Sequence, residues 1–511
     1  MFLWSYRGFE SKQKRIIEGQ VLLTKKQGRR AIKKLYKPSD IELGGIALPE
    51  GAPQQHIMVA GTTGSGKTNA LRLLLTQIRA QGDRAIIVDL RGNFLSQFYE
   101  PSKDIILNPF DERSVPWNIF EECEDPNDMD TMAECLVQSF SKHETFWIEN
   151  ARILLATGLL KLRTQPSSHP HRNLVKHLLK IPLAQLQKLL ENTEAASLVD
   201  PQGEKMAVSF RATLVKSLRP LIYCDYGQGE SFSIRRWIHQ DVPGNSWLWL
   251  SSGVRHRSSL KGLMSSWIQS ALLALREMPE TPNRRLWLII DELPQLGKIP
   301  SFGEALAEAR AFGGCIVIGI QDINQLDEIY GHQNSRSCIN LFGTKVLFRA
   351  QDYDIATRLS KGLGQNETSE TVEGISYGSH EMRDGVSINK VVKQGFAVKA
   401  QDIMDLHVGH AILKTLDIAP IKTVFEKSDA VQKYDYCQKK KNLFEILEQS
   451  YDVARIDEES AAFHGDKTNE DSHEDEETSE QASVSQKVEA TSKSHEGSQS
   501  SSSSLENEQI T

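Results

Sequence analysis

Short apolar runs alternate with amphipathic stretches along much of the chain. From these runs we predict seven strands, at His56–Ala60, Ala85–Leu90, Asp104–Leu107, Trp247–Leu250, Leu286–Ile290, Cys315–Ile320 and Thr344–Phe348. Helical periodicity fills several of the intervals, for example at Asn69–Ala80 and Ser258–Glu277. Strands that are apolar on both faces and alternate with helices are typical of a parallel sheet covered on both sides. The pattern therefore predicts an α/β fold with a central parallel sheet.

The alternation stops between about residues 119 and 240, where one helical pattern follows another. The helices predicted there lie at Asp128–Ser141, Phe146–Leu162, Asn173–Leu179, Leu183–Leu190 and Lys205–Leu218. We therefore predict an all-α domain over residues 119–240, inserted into the α/β domain. The α/β domain is then discontinuous, with parts at residues 41–118 and 241–425, and a helical linker follows over residues 426–456.

The two ends of the 511-residue chain carry opposite charge. Residues 1–40 hold 11 Lys and Arg against 3 Asp and Glu, and we predict a basic N-terminal arm there. Residues 457–511 hold 3 Lys and Arg against 15 Asp and Glu, and they are rich in Ser and Gln. Such a segment cannot bury enough apolar surface to offset its ordering entropy, so we predict a disordered acidic tail. Without that tail the chain is mildly basic, which permits a polyanionic partner but does not require one.

Composition also excludes several classes of protein. Hydrophobic residues make up 39% of the chain, which is enough for a sizeable core, yet no run of about 18 apolar residues predicts a transmembrane helix. The apolar stretch at the N-terminus is too short for a secretory signal peptide. The six cysteines lack the spacing of metal ligands, and we expect the reduced thiols of a cytosolic protein.

The strongest chemical signal lies directly after the first predicted strand. It reads Gly61-Thr62-Thr63-Gly64-Ser65-Gly66-Lys67-Thr68 and matches the phosphate-binding pattern GxxxxGK[ST] at every position. Glycines let the backbone wrap around phosphates, and the following helix N-terminus supplies positive potential. We expect these eight residues to bind ATP, with Lys67 at the β- and γ-phosphates and the Thr68 hydroxyl on Mg²⁺. A chance Gly-rich turn does not account for both the preceding strand and the following helix.

A second signal is the strand at Leu286–Ile290, which runs directly into Asp291 and Glu292. An apolar strand that ends in Asp-Glu is the Walker B pattern. We expect Asp291 to hold the Mg²⁺ shell and Glu292 to act as the general base that activates the attacking water. Strands that end in acidic residues are common, so this assignment depends on the phosphate loop upstream. Glu292 favours hydrolysis over mere nucleotide binding.

Polar residues end two further strands, and their roles are less specific. Gln321 follows the strand at Cys315–Ile320, at the edge of a parallel sheet where ligands bind. It is a candidate for sensing the γ-phosphate or for positioning water, and the alternative is a strand-end cap. Asp89 ends the strand at Ala85–Leu90, and the sequence does not distinguish nucleotide contact from loop capping there.

Several arginines and lysines are weaker candidates. Arg310 lies in a helical pattern after Asp291, where an exposed arginine is usually just solvated. Arg255, Arg257 and Lys261 cluster after the strand at Trp247–Leu250. They are able to face phosphates, and the alternative is a charged loop.

Further segments give the chain a specific resemblance over residues 40–425. They are Ile106–Arg113 with Trp117 and Asn118, Asp291–Pro294, Glu308–Cys315, Gly319–Gly331, Ser376–Gly378 and Arg383–Ser387. In this order they resemble the segments LNPxDxR…W, DELP…EARxFGGC, GIQxxxQLxxIYG and SYG…RDGVS of the TraD/TraG family of type IV secretion coupling proteins. Matches in this number and order are far more specific than a phosphate loop alone.

The resemblance implies a RecA-like P-loop ATPase that forms a homo-hexameric ring and is related to FtsK-like motors. Such a protein recruits the relaxase–DNA complex to the type IV secretion channel and drives DNA transfer. Its nucleotide lies between subunits, and Arg310 occupies the position of an arginine proposed to reach a neighbour's γ-phosphate. The resemblance also implies that residues 119–240 face the cytoplasm. It implies that the acidic C-terminal region contacts a DNA-bound relaxosome protein of TraM type.

The chain departs from the family at its start. Family members usually begin with two transmembrane helices, whereas residues 2–7 of this chain resemble the region just after the second one. A truncated chain and a soluble relative docked by partners both remain open. We expect a location at the cytoplasmic face of the bacterial inner membrane, either peripheral or cytoplasmic.

Three functions fit these observations. The first is a motor that hydrolyses ATP and moves single-stranded or relaxase-bound DNA. The second is an adaptor in which the nucleotide sets the conformation and the chain recruits the relaxosome. The third is an FtsK- or HerA-like DNA translocase outside conjugation. The complete set of Lys67, Thr68, Asp291, Glu292 and Gln321 favours the motor.

Overall fold

The computed structural model describes residues 15–138, 145–165, 167–227, 229–240, 245–281, 283–376 and 385–450. Its strands are β1 Arg15–Gly19, β2 Pro38–Leu43, β3 Ile46–Pro49, β4 Ile57–Ala60, β5 Arg84–Asp89, β6 Ile105–Leu107, β7 Trp247–Ser251, β8 Leu286–Ile290, β9 Gly314–Ile320, β10 Thr344–Leu347, β11 Gln365–Ser376, β12 Gly385–Phe396, β13 His410–Thr415 and β14 Ile421–Val424. Its α-helices are α1 Lys25–Leu35, α2 Lys67–Gln81, α3 Leu95–Phe98, α4 Pro126–Leu136, α5 Thr145–Leu162, α6 Pro170–Val175, α7 Leu183–Leu189, α8 Glu204–Leu218, α9 Ile234–His239, α10 Arg257–Arg276, α11 Phe302–Ala309, α12 Ile323–Tyr330, α13 His332–Asn340, α14 Tyr353–Lys361, α15 Ala400–Met404 and α16 Leu443–Gln449.

A nine-stranded sheet organises the molecule, in the order β14-β13-β10-β4-β9-β8-β5-β7-β6. The seven strands from β10 to β6 pair in parallel. They are the seven strands predicted from the sequence, each within two residues of its predicted bounds. The hairpin β13–β14 joins antiparallel at the β10 edge. Since β4, β9, β8 and β5 are parallel neighbours, the loops that follow them gather along one edge of the sheet.

Each face of the sheet contributes to a separate hydrophobic core. In β4, Met58 and Ala60 point into one core, and Ile57 and Val59 point into the other. This alternation follows from the two-residue period of a strand. Helix α2 covers the second face with Leu71, Leu74, Leu75 and Ile78, which are all buried. Helix α10 and the helices that precede β7 cover the first face. The sheet is thus the middle layer of the α/β fold.

Between residues 119 and 239, every element that the structure describes is helical. The helix predicted at Asn173–Leu179 is two elements, α6 and a π-helical turn at Lys176–Lys180. Buried hydrogen bonds join the first and last parts of this region to the segment that follows β6. Trp117 donates from Nε1 to Glu122 Oε1 at 2.9 Å, and the same oxygen accepts from the Ile234 N–H at 2.6 Å. The domain boundaries themselves stay predictions.

Both terminal segments differ from the sequence expectations in their described parts. The predicted arm at residues 1–40 is folded from residue 15 onward, because Gly28 and Ile32 of α1 pack into the protein and β1 pairs with β11. Of the predicted helical linker at 426–456, only residues 443–449 are helical in the part described, up to residue 450. The predicted tail at 457–511 lies outside the described residues. Tyr377, Gly378, Arg383 and Asp384 of the quoted segments also lie outside them.

Within the described ranges, no helix combines the length and the apolar character that crossing a bilayer requires. The six cysteines form no disulfide, and four of them are buried.

Candidate nucleotide-binding site

The candidate site lies at the carboxyl edge of the parallel sheet. Residues 61–68, here called the phosphate loop, connect β4 to α2. Asp291 and Glu292 follow β8, and Gln321 follows β9. Because β4, β9 and β8 are adjacent, these residues of distant sequence position meet at one place. This is the sheet edge at which open α/β folds bind ligands.

The phosphate loop leaves the N-terminus of α2 open to a ligand. Its glycines 61, 64 and 66 all have positive φ, and Gly66 at φ 125° directly precedes the helix. A Cβ at Gly66 would lie 2.9 Å from the Phe348 ring, so a side chain would both strain the backbone and collide. No side chain caps the first turn of α2. The N–H groups of that turn and the helix dipole are therefore available to phosphate oxygens.

Lys67 is held inside the loop. Its Nζ donates to the carbonyl oxygens of Gly61 at 2.6 Å and Thr62 at 3.2 Å, and only 6% of the residue is exposed. Burial lowers the pKa of Lys67, whereas the nearby charges of Glu292 and Asp291 act in the opposite direction. The ammonium thus lies between backbone carbonyls and the two carboxyl groups.

Asp291 and Glu292 are both buried, with 8% and 5% exposure. Burial raises the pKa of Asp291 to about 6, and the neighbouring charge of Asp89 adds to this. Burial likewise raises the pKa of Glu292 to about 7, while the Gln321 N–H, which donates to Glu292 Oε1 at 3.2 Å, opposes the shift. A carboxyl group with a pKa near neutral pH suits general acid–base chemistry.

Gln321 links the two motifs. Its side-chain Oε1 accepts a hydrogen bond from the Thr63 hydroxyl at 2.8 Å, while its backbone N–H donates to Glu292. The residue therefore bridges the phosphate loop and the acidic pair across the β4–β9–β8 edge.

Asp89 is a loop cap, which decides between the two roles that the sequence leaves open. Its carboxylate is fully buried and accepts from five successive backbone N–H groups of residues 91–95, at 2.7–3.3 Å.

Arg257 lies near the acidic pair. Burial lowers the pKa of Arg257, and the negative charges of Asp291 and Glu292 act in the opposite direction. Arg257 is anchored by hydrogen bonds from Nη1 to Gln295 at 2.6 Å and from Nη2 to the Leu90 carbonyl at 3.2 Å. None of the three candidates Arg255, Arg257 and Lys261 lines the cavity at this site.

A cavity of about 900 Å³ opens at the phosphate loop, and part of its wall comes from residues that no sequence motif identifies. Arg91 is one of them, and its position just past the end of β5 is the signal that could have found it. Residues 424–430 form another part of the wall. Asn69 fixes them, since its Nδ2 donates to the Glu426 carbonyl at 2.8 Å and its Oδ1 accepts from the Ser428 N–H at 2.9 Å. No local signal predicts that contact.

The donor set at the cavity fits a magnesium–nucleotide ligand. Thr68 and Asp291 both line it and supply a hydroxyl and a carboxylate. Mg²⁺ typically takes one or two carboxylates and completes its octahedron with water and phosphate oxygens. The described residues contain no cluster of three His, Cys, Asp or Glu that would hold a metal ion without such a ligand.

Arg310 lies apart from these residues. It directly follows α11, is exposed, and precedes the start of β9. The phosphate loop follows the carboxyl end of β4, which is parallel to β9. The seven residues of β9 span about 20 Å, so Arg310 is at the opposite edge of the sheet from the phosphate loop of its own chain.

A phosphate loop between the first central strand and a helix, on a mostly parallel sheet, defines a P-loop nucleotide-binding fold. Residues 40–425 match the sequence model of the type IV secretion-system coupling protein DNA-binding domain. The chain therefore belongs to the family of type IV secretion coupling proteins.

The chain is similar to characterised members of that family. It is 37% identical over 382 residues to coupling protein TraD of Escherichia coli strain K12. The match covers 74% of this chain and 53% of that relative, so the chain spans about half the length of the curated relative that it matches.

Solved structures of a second family member, TrwB, have the same RecA-like fold. The unbound form of the conjugative coupling protein TrwBdeltaN70 is 27% identical with a TM-score of 0.72, over 84% of this chain and 97% of that one. Plasmid coupling protein TrwB in complex with ADP and Mg²⁺ is 26% identical with a TM-score of 0.72, over 84% of this chain and 98% of that one. TrwB with the non-hydrolysable ATP analogue ADPNP is 27% identical, with a TM-score of 0.71 over the same shares.

Proposed function

We propose that this chain is an ATP-hydrolysing subunit of a conjugative DNA-transfer motor, which recruits a relaxase–DNA complex to a type IV secretion channel. The observation that carries hydrolysis is the place of Glu292. Its carboxyl group is buried at the phosphate loop, is held by the Gln321 N–H and interacts with the charge of Lys67. A carboxyl group held beside the phosphate loop is placed to accept a proton from the attacking water, which an adaptor that only binds nucleotide does not require.

The roles of the site residues follow from their positions. The backbone of residues 61–68 and the start of α2 cradle the phosphates, and Lys67 neutralises their charge. Thr68 and Asp291 hold Mg²⁺, which supplies charge stabilisation at the transferring phosphoryl group. Glu292 accepts a proton from the attacking water, and Gln321 orients Glu292 and Thr63. The complexes of TrwB with ADP and Mg²⁺ and with ADPNP support this choice of ligand.

The partners follow from family membership. They are DNA in single-stranded or relaxase-bound form, the relaxase, and the secretion channel at the inner face of the bacterial membrane. A further proposed partner is a relaxosome protein of TraM type, contacted by the acidic C-terminal region. The position of Arg310, on the edge away from its own phosphate loop, supports a role at the site of a neighbouring subunit. The homo-hexameric ring that we propose rests on the family resemblance.

Steady-state ATP hydrolysis by the purified chain, with and without single-stranded DNA, tests this function. We expect turnover that DNA stimulates. Glu292→Gln should retain nucleotide binding and lose turnover by at least about 100-fold, because an amide cannot accept the proton of water. Lys67→Ala should also lose turnover, through loss of a phosphate contact. Nucleotide binding without turnover in the wild-type chain would contradict the motor and support the adaptor.

A further inference from the structure

A second cavity lies away from the phosphate loop. It measures about 1300 Å³ and opens between helix α8, the loop after β7 and the segment that contains α16. It shares no lining residue with the nucleotide cavity. Pockets for small molecules typically measure about 300–1000 Å³, so this opening suits a ligand larger than a metabolite. We call it the basic groove, after its cationic residues Lys216, Arg219, Arg255, Lys439 and Lys440.

The charge of the groove has one sign. Among the described residues that line it, five are Lys or Arg and none is Asp or Glu. Arg219, Arg255 and Lys439 are exposed, and their side chains form no hydrogen bond or ion pair with any described residue. Burial lowers the pKa of His256, and the nearby positive charges of Arg255 and Lys439 lower it further. Unpaired cations gathered around one opening attract a polyanion.

Aromatic rings occupy the same opening. Phe444 of α16 is 82% exposed and Tyr436 is 49% exposed, and both line the groove. Beneath them, Phe110 stacks on His256 with ring centroids 4.2 Å apart, and Tyr223 is 5.3 Å from the same phenylalanine. Because Phe444 is almost fully exposed, its ring buries little apolar surface and adds little to the stability of the fold. It is placed to stack on a flat ligand.

The wall that carries these groups is fixed to the body. The Glu112 N–H donates to the Gln438 carbonyl at 2.7 Å, and the Lys440 N–H donates to the Phe110 carbonyl at 3.1 Å. Lys440 is buried, and its ammonium donates to the carbonyl oxygens of Tyr223 and Tyr226. The groove is therefore preformed, and binding pays little for ordering it.

We propose that the basic groove binds a segment of single-stranded nucleic acid, with phosphates on Arg219, Arg255 and Lys439 and a base stacked on Phe444. Cations that track the backbone, interleaved with rings that stack on bases, are the combination that single-strand binders use. The inference deepens the proposed motor and rests on it for the choice of DNA over another polyanion. Binding to the groove does not itself require hydrolysis.

Fluorescence anisotropy of a labelled oligothymidylate with the full chain, without nucleotide, tests the proposal. Arg255→Glu combined with Lys439→Glu should weaken binding at least about ten-fold and flatten its salt dependence. Phe444→Ala should weaken it about 5- to 150-fold by loss of stacking, and its exposed position spares the core. Lys361→Glu combined with Lys188→Glu reverses the same number of charges at exposed positions outside the groove and should stay within two-fold of wild type.

Two further measurements separate this proposal from the motor. ATP hydrolysis without DNA should be unchanged in the groove variants, and oligothymidylate binding should be unchanged in Lys67→Ala. A chain that does not hydrolyse ATP but still binds oligothymidylate through the groove would contradict the proposed motor and leave the groove proposal intact. Groove variants that bind like wild type would overturn the groove. So would tighter binding of a peptide of residues 457–511 than of the oligonucleotide, because the groove would then be a site for the acidic C-terminal segment.

Discussion

His56 is buried and directly precedes β4, the strand that leads into the phosphate loop. Its imidazole ring joins β4 to α11 and β9. Its Nε2 donates to the Leu306 carbonyl at 2.7 Å, and its Nδ1 accepts from the Ile316 N–H at 3.2 Å. Both ring nitrogens are thus used in the neutral form, and protonation would set an N–H against an N–H. Burial, together with the nearby charge of Arg310, lowers the pKa of His56 to about 4.

This geometry predicts an acid-sensitive fold. Because the folded-state pKa is below the unfolded value of 6.5, the stabilisation is fully present above pH 6.5 and is lost as the pH falls through 4. The whole effect is on the order of 3 kcal/mol. Urea unfolding midpoints at pH 7, 5 and 4 should fall less steeply in His56→Gln than in the wild type. Parallel pH profiles of the two proteins would show that His56 is not the responsible group.

Gly319 allows the β9 backbone to approach the backbone of Asp291. A Cβ at this position would lie 1.9 Å from the Asp291 carbonyl oxygen. Gly319→Ala should therefore displace Asp291, destabilise the protein by about 1–3 kcal/mol and lower ATP turnover more than ten-fold. Gly303→Ala is the matched control, since its nearest neighbour would be Cys338 Sγ at 3.4 Å. Thermal melting and hydrolysis rates distinguish the two, and a Gly319→Ala variant with wild-type turnover would contradict the close approach.

The sequence predicts the residues of the site better than their surroundings. The phosphate loop, Asp291 and Glu292 are readable because each lies within a few residues of a strand end, and parallel strands bring their carboxyl ends together. The residues that form the wall of the nucleotide cavity cannot be predicted from strand ends in this way. Asn69 and Glu426 are 357 residues apart, and only the packed molecule joins them. The position of Arg310 is equally hard to predict from the sequence. It depends on where α11 ends, just before the start of β9.

At the scale of elements, continuous apolar runs decide what can be predicted. The seven parallel strands are apolar on both faces, so a few residues identify each of them. Strands β11 and β12 carry mostly polar residues and belong to a small separate sheet with β1, and the sequence pattern misses them. Helix α1 is missed for a related reason. It buries only Gly28 and Ile32, and the rest of it is dominated by Lys and Arg.

Helix α1 approaches strand β14 through Gly28, which gives a test of this packing. A Cβ at Gly28 would lie 2.5–2.7 Å from three side-chain atoms of the fully buried Ile421. Gly28→Ala should therefore destabilise the protein, although alanine favours a helix by about 1 kcal/mol over glycine. Adding Ile421→Val removes the atom of closest contact and should recover part of the loss. Additive effects of the two substitutions in a double-mutant cycle would show that the helix and strand are not in contact there.

At the scale of the whole molecule, Arg310 predicts that active sites are shared between subunits. Arg310 cannot reach the phosphate loop of its own chain, so any contact between Arg310 and a transferring phosphate has to be made at a neighbour's site. Arg310→Ala should then lower turnover about 1000-fold or more without weakening nucleotide binding. Mixing Arg310→Ala subunits with Lys67→Ala subunits should restore activity, since some junctions then combine an intact phosphate loop with an intact arginine. Mixing Lys67→Ala with Glu292→Gln is the control and should restore none, because both residues act in the same chain's site. With mixed oligomers verified by mass, recovery in neither mixture would contradict a role of Arg310 at a neighbour's site.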